Sequence, residues 1–345
     1  MSRHGNHVTL GEVAQAAGVS IATASRAING SAGRRVNEEI KKRVQETADR
    51  LGYSPNLSAQ AVARGASSTI AVVVSDIADP YFSAIAAGVM RGAEEANLIV
   101  TIAAAERSVT NELEIVRTLR GQRPRAIILT GSRRIDDPQQ AALEEQLLAY
   151  DASGGRVVLV AQAPSPFDVV ELRNRDGAQE LARQLVNQGG RRFGIITGPL
   201  ELLTNRDRVD GFTEGLAESD LGIDDDAVIS TAFTRDGGYE ALRTLLSRFP
   251  DTDTIFATSD LMATGVLTAL RDLGKEPGRD VSVAGFDDIA LVRDVTPPLT
   301  TVVAPLSDMG YRAVRLALAE RGKDGPVVLP VNTAVVIRES TPRRG

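Results

Sequence analysis

Thr9 and Glu12 stand three residues apart just ahead of an apolar run, and this pair decides how the chain begins. A threonine hydroxyl accepting from the third backbone N–H, with a glutamate reaching back to the threonine N–H, is a capping box, so a helix is expected from Leu10. Leu10, Val13, Ala14 and Ala17 then fall on one apolar stripe, and Gly18 permits the left-handed turn that ends it. Ser20 is placed to cap a second helix over residues 21–29. There Ala24, Ala27 and Ile28 suit packing, while Ile21, Ala22, Ser25, Arg26 and Asn29 are free to face outward. A third helix is expected after Asn37, with Ile40, Val44, Ala48 and Leu51 as its stripe, Glu39 supporting Arg43 four residues on, and Gly52 as its stop. Three helices this short fit a helix-turn-helix domain; by spacing alone they also fit the core of a larger helical region.

Charge separates those readings. Residues 1–64 hold nine Lys or Arg against five acids, a surplus of +4, which leaves the remainder at −10 in a chain whose net charge is −6. A basic head on an acidic body is the pattern expected when only one end meets phosphates.

At 345 residues, with 43% hydrophobic and 24% charged residues, the chain is long enough for two or three globular domains. It has no apolar run of membrane-spanning length, and Met-Ser-Arg-His-Gly-Asn-His lacks the apolar segment of a signal peptide, so a cytoplasmic protein without membrane partners is expected. There is no cysteine, and the two histidines are His4 and His7. That composition excludes thiolate nucleophiles and Cys-ligated metals, and the chain contains no G-x-G-x-x-G, G-x-x-x-x-G-K-[ST] or G-x-S-x-G. An enzyme is not expected, nor a cofactor or a metal. The adjacent carboxylates of Asp287 and Asp288 lack the His or Cys that would argue for an ion.

A Pro-, Gly- and Ser-rich stretch from Ser54 to Ser68 reads as a hinge. Beyond it, short β-branched runs at 70–74, 98–104, 126–130, 156–161, 192–197, 227–231, 253–257 and 281–284 alternate with amphipathic helices, the first over residues 81–97. This alternation signals parallel βαβ units, and so many strands call for two sheets, with the boundary placed in Gln162-Ala-Pro-Ser-Pro-Phe167. The expected fold is therefore α/β: two Rossmann-like lobes behind a small all-α head. A cleft between such lobes is lined by loops at the carboxyl ends of the strands. Here those loops carry Ser75 to Phe82, Thr130-Gly131-Ser132, Asn205-Arg206-Asp207-Arg208, Ser259-Asp260 and Asp287-Asp288, and carboxylates with an arginine and one or two aromatic rings suit a polyhydroxylated ligand. Asp79, Thr204 and Ser259 also suit helix caps.

These residues resemble the bacterial lactose-repressor (LacI/GalR) type of transcription regulator along nearly the whole chain. The resemblance rests on Val8-Thr9-Leu10, Val13-Ala14, Ala17-Gly18-Val19-Ser20, Thr23, Ser25-Arg26 and Asn29. It continues through Leu51-Gly52-Tyr53, Pro55-Asn56, Asp79-Pro80-Tyr81-Phe82, Ser259-Asp260, Val283 to Asp288 and Pro297 to Thr301, in that order. It implies lobes of periplasmic-binding-protein type, with the head at 1–54, a hinge helix and linker at 55–67, a first lobe at 68–164 plus 302–324, and a second at 165–301 plus 325–340. The chain would cross between lobes three times, with a helix at 306–321 returning to the first.

The resemblance also implies roles. Ile21, Ala22 and Arg26 would read bases, Arg26 through a fork that matches guanine. Thr9, Ser20, Thr23, Ser25, Asn29 and Tyr53 would hold phosphates or set register, and Ala59 and Val62 would enter the minor groove. The effector would meet Asp79, Phe82, Arg206, Phe233, Ser259, Asp260 and Asp287. Ser259 and Ala304 depart from the family's usual polar residues, which points to an effector unlike the best-known sugars. The implied function is an effector-responsive repressor of carbohydrate-related genes, a homodimer on a near-palindromic operator. The alternative from another class is a two-lobed solute-binding protein for a sugar-like ligand, without a role at DNA.

Overall fold

The structure is a computed structural model that describes residues 8–29, 36–54, 67–135, 137–321 and 325–344, and it divides into two units, Met1–Ser67 and Ser68–Gly345. The first holds α1 (Leu10–Ala16), α2 (Ile21–Asn29) and α3 (Glu38–Leu51). The capping box forms as its spacing predicts: Thr9 N donates to Glu12 Oε2 at 2.7 Å, and Glu12 N to Thr9 Oγ1 at 3.3 Å. Gly18 and Gly52 take φ of 66° and 68°, left-handed values that L side chains resist, and so end α1 and α3. The three helices bury mostly small side chains, Ala14, Ala17, Ala24, Ala27 and Ala48, around Val13 and Val44. The supporting ion pair on α3 is Lys42 with Glu46 rather than Glu39 with Arg43.

In the second unit the chain runs β1 (Thr69–Val74), α4 (Pro80–Glu95), β2 (Ile99–Ala104), α5 (Val109–Gln122), β3 (Ala126–Thr130), α6 (Pro138–Ala152), β4 (Val157–Ala161) and β5 (Asp168–Leu172). It continues through α7 (Asn174–Asn187), β6 (Phe193–Thr197), α8 (Leu203–Ala217), β7 (Val228–Ser230), α9 (Arg235–Arg248), β8 (Thr254–Ala257), α10 (Asp260–Asp272) and β9 (Ser282–Asp287). It ends with β10 (Thr300–Val303), α11 (Leu306–Leu318), β11 (Val328–Val331) and β12 (Ala334–Val336). Two sheets result, ordered β11-β5-β4-β3-β1-β2 and β12-β10-β9-β8-β6-β7, parallel except where β12 meets β10. Among the described residues no helix is long and apolar enough to cross a membrane.

The chain passes between lobes three times, and strand pairing moves each of the three lobe-to-lobe boundaries drawn from the sequence, while the start of the first lobe at residue 68 stands. Residues 165–172 belong with the first lobe, because β5 pairs with β4 at Val158↔Asp168. Residues 302–303 stay in the second, because β10 pairs with β9 through Val303↔Asp287. Residues 328–331 return to the first, because β11 pairs with β5. The two prolines at 164 and 166 mark a turn into β5 rather than the lobe boundary. Helix α11 packs in the first lobe against α4, where a Cβ on Gly88 would strike the Ser307 carbonyl and one on Gly310 that of Ile85. Only glycines let the two backbones come so close.

Candidate functional site

In the head, α2 presents Ile21, 60% exposed, and Ala22, also exposed, at its first turn. Ser20 creates that start by accepting from Thr23 N at 3.1 Å and sharing a 2.8 Å hydroxyl contact with Thr23. One turn on, half-buried Arg26 donates Nε to the Ala22 carbonyl at 3.0 Å. This aligns the side chain along the helix and leaves both terminal nitrogens of its fork without a protein partner among the described residues. Ser25 and Thr23 are half-buried beside it. The Thr9 hydroxyl and N–H both serve Glu12, whose carboxyl they hold below its ordinary range. Tyr53 packs against the small core. The Asn29 side chain, Ala59 and Val62 lie outside the described residues.

In the second unit, a cavity of about 300 Å³ opens between the lobes at the carboxyl ends of the strands, a volume suited to a small molecule. Its second-lobe wall is built on Arg208. The helix α8 buries Asn205, Arg208, Gly211, Phe212 and Gly215, a stripe at three- and four-residue steps that carries Arg208 inward. Its Nη2 donates to Asp287 Oδ1 at 2.8 Å, Nη1 to the Thr258 carbonyl at 2.6 Å and Nε to Asn174 Oδ1 at 2.9 Å, over the Phe286 ring at 3.8 Å. Asp287 ends β9 with φ of 117°, a backbone strain of about 1–3 kcal/mol that turns its carboxylate into the cleft.

The first-lobe wall is built on Arg107. Its Nη2 donates to Asp79 Oδ2 at 2.8 Å and its Nε to Asp76 Oδ2 at 3.2 Å. Asp79 also caps α4, accepting from Tyr81 N at 3.0 Å, so one carboxylate both starts the helix and anchors the arginine. The Arg107 guanidinium lies 5.9 Å from the Phe82 ring centroid and 5.3 Å from that of Phe233, so it touches an aromatic of each lobe.

One rim of the cleft is stitched shut. Leu203 N donates to the Arg133 carbonyl at 3.1 Å, Ile135 N to the Glu201 carbonyl at 3.0 Å and Thr204 N to Ser132 Oγ at 2.9 Å. The Gln162 amide donates to Thr204 Oγ1 at 2.5 Å.

Of the residues singled out from sequence, Asp79, Phe82, Phe233 and Asp287 line the cavity together. Arg206 does not: it is exposed on the opposite side of α8, and Arg208 occupies the position expected of it. Ser259 caps α10 by accepting from Met262 N, and it does not line the cavity. Asp260 lies behind it, fully buried, accepting from Thr301 Oγ1 at 2.6 Å and Ile289 N at 2.9 Å, which ties α10 to β10. Ala304 is buried where β10 gives way to α11. Asp288 is held by Arg293 and Arg338, each at 2.7 Å.

Sequence reading did not select Tyr81, Arg107, Arg134, Gln162 or Asn174, all of which line the cavity. The signal for Tyr81 was its place beside Phe82, and for Arg208 the stripe that it shares with Asn205 and Phe212. Burial raises the Tyr81 hydroxyl above its ordinary range, so it stays a neutral donor in the cleft. Burial likewise raises Asp287, against the pull of Arg208, and raises Asp260, where the Asp287 charge adds to the effect.

Comparison with known proteins places both units. Residues 9–56 match the family described as "Bacterial regulatory proteins, lacI family", and residues 182–341 match the "Periplasmic binding protein-like domain". The HTH-type transcriptional regulator CelR of Thermobifida fusca is 33% identical over 340 residues, 96% of this chain and 98% of that protein. GalR of Escherichia coli (strain K12) is 31% identical over 313 residues, 90% of this chain and 88% of the relative. A solved complex of CelR with cellobiose aligns with a TM-score of 0.71 at 32% identity, covering 97% of this chain and all of that one. The lac repressor dimer bound to operator and the anti-inducer ONPF aligns at 0.81 with 25% identity, covering 98% and 100%. A basic three-helix head, two lobes joined by three crossings and this likeness over almost the full length lead to one conclusion: the chain belongs to the LacI family and is an HTH-type transcriptional regulator.

Proposed function

We propose that the protein is a repressor of carbohydrate-related genes that binds a near-palindromic operator as a homodimer and answers to a sugar-like effector held in the cleft. The observation that carries the reading is the cavity between the two lobes, with Arg208 and Asp287 on one wall and Phe82 and Phe233 supplying apolar faces. Arginine forks and carboxylates match adjacent hydroxyls, and an aromatic face covers a sugar ring. CelR, solved with cellobiose, favours a carbohydrate.

On DNA, Arg26 is the polar base reader and Ile21 and Ala22 offer apolar contact, as to a thymine methyl. Thr9, Ser20, Thr23, Ser25, Asn29 and Tyr53 position phosphates, while Ala59 and Val62 serve the minor groove. A second copy would cover Met90 on α4 and Ile99 and Ile102 on the edge strand β2, all exposed apolar side chains of the first lobe. The solute-binding alternative leaves the helix-turn-helix head without a role.

The test is operator selection from random duplexes with the full chain, followed by Arg26→Ala. Loss of about 1–3 kcal/mol of discrimination against the mismatched base at one operator position is expected. Undiminished preference over random DNA at matched salt would remove Arg26 from that role.

A further inference from the structure

Among the described residues three arginines line the cleft, and two of them have carboxylate partners. Arg107 is matched by Asp76 and Asp79, and Arg208 by Asp287. The third lining carboxylate, Glu112, is taken by Arg133 at 3.0 Å. Arg134 is the cation left over: half-buried on the cavity wall, its guanidinium meets neither a carboxylate nor another hydrogen-bond acceptor among the described residues.

Its place is fixed. Arg134 pairs antiparallel with Leu202 of the other lobe, between the hydrogen bonds Leu203 N to Arg133 O and Ile135 N to Glu201 O. Extended backbone sends successive side chains to opposite sides, so Arg133 turns to Glu112 while Arg134 turns to the cavity. A second unmet group lies on the same wall. Gln162 Oε1 is buried without a partner among the described residues, although the other end of that amide is bound to Thr204. Both a buried acceptor and a half-buried cation cost free energy unless something in the cleft satisfies them.

We infer that the effector joins a carbohydrate-like body to one acidic group, a carboxylate or a phosphate, which pairs with Arg134 while a nearby hydroxyl donates to Gln162. The body lies toward Tyr81, Phe82 and Phe233. This rests on the cleft being the effector site. Because the Arg134 backbone is held by the opposite lobe, the acidic group is gripped only when the lobes are together.

The test is calorimetric titration of the full chain with matched probes: glucose, gluconate, glucuronate and glucose 6-phosphate, and the corresponding galactose set. At least one acid is expected to bind ten times or more tightly than its neutral parent. Arg134→Gln should weaken that acid by about ten- to hundredfold while leaving the neutral parent nearly unchanged, and Arg134→Lys should restore part of the loss. The arm that responds, carboxylate or phosphate, identifies the group. Equal or tighter binding by the neutral parents, no binding by any acid, or an acid indifferent to Arg134→Gln would overturn the inference. Neutral sugars that bind and are lost in Arg208→Lys would leave the cleft reading standing without it. Binding indifferent to Arg208→Lys would remove the cleft reading itself.

Discussion

Two arginine–carboxylate pairs face the same cavity from opposite lobes, and they differ in how much water they keep. Arg208 and Asp287 are 2% and 5% exposed, held by strand ends and a helix, with all three guanidinium nitrogens in use. Asp79 is likewise 5% exposed, but Arg107 keeps 27% of its side chain exposed and sits on a loop whose Glu106 and Arg107 adopt left-handed φ of 52° and 58°. Water makes the difference in energy. A charge stranded in the interior has nowhere to go, whereas a partly exposed arginine is resolvated, so the Arg208 pair is the rigid anchor of the cavity and Arg107 the adaptable one.

The largest effect should come from stranding Asp287. Arg208→Met is expected to cost about 3–5 kcal/mol in denaturant unfolding, since the carboxylate loses its compensating charge. A cost below about 1 kcal/mol would erase the contrast between the walls. A smaller effect belongs to Asp207, next to Arg208 on α8, whose carboxyl burial pushes up to about 6 despite Arg175. The folded value lies above the ordinary 3.8, so the native state holds the proton more tightly. The contribution of Asp207 to stability is then full at and below about pH 4 and is lost as pH rises through 6. Asp207→Asn should flatten that decline and leave the variant about 1 kcal/mol more stable at pH 7, allowing for partial exposure. Thermal midpoints across pH 4 to 7 check it, and an unchanged slope would contradict it.

Arg107→Ala should cost about 1 kcal/mol in stability, less than Arg208→Met, because Arg107 itself is partly hydrated and the buried Asp79 that it leaves behind still accepts from Tyr81 N. Its contact with Phe233 should appear as a coupling of about 0.5–1 kcal/mol in a double-mutant cycle of Arg107→Ala with Phe233→Ala. Additive effects would show that this pair does not join the lobes.

The head was legible because its signals are local. The Thr9–Glu12 box, Ser20 and the glycines at 18 and 52 act within a few residues, and each stands where its spacing places it. The lobes were legible as alternation, but their boundaries were not. Whether Val328–Val331 joins one sheet or the other depends on a partner over a hundred residues away, Val328↔Val169, whereas Asp168–Leu172 pairs with nearby β4 across the two prolines that read as a boundary. Site residues divide in the same way. Asp79 and Phe82 were read from one loop, whereas the choice between Arg206 and Arg208 needed the buried face of α8, marked by Asn205 and Phe212. Asp260 carries the chemistry of a ligand contact, and only burial shows that its oxygens are spent on Thr301 and Ile289.

The most direct measurement is the affinity of the full chain for its selected operator, by fluorescence anisotropy, with and without whichever of the glucose and galactose probes binds most tightly. The affinity should change by about five- to 150-fold in the wild type, the usual size of coupling between two sites, and should not change in Arg208→Lys. A wild-type affinity indifferent to that probe, or a response that survives intact in Arg208→Lys, would contradict the placement of the switch in the cleft.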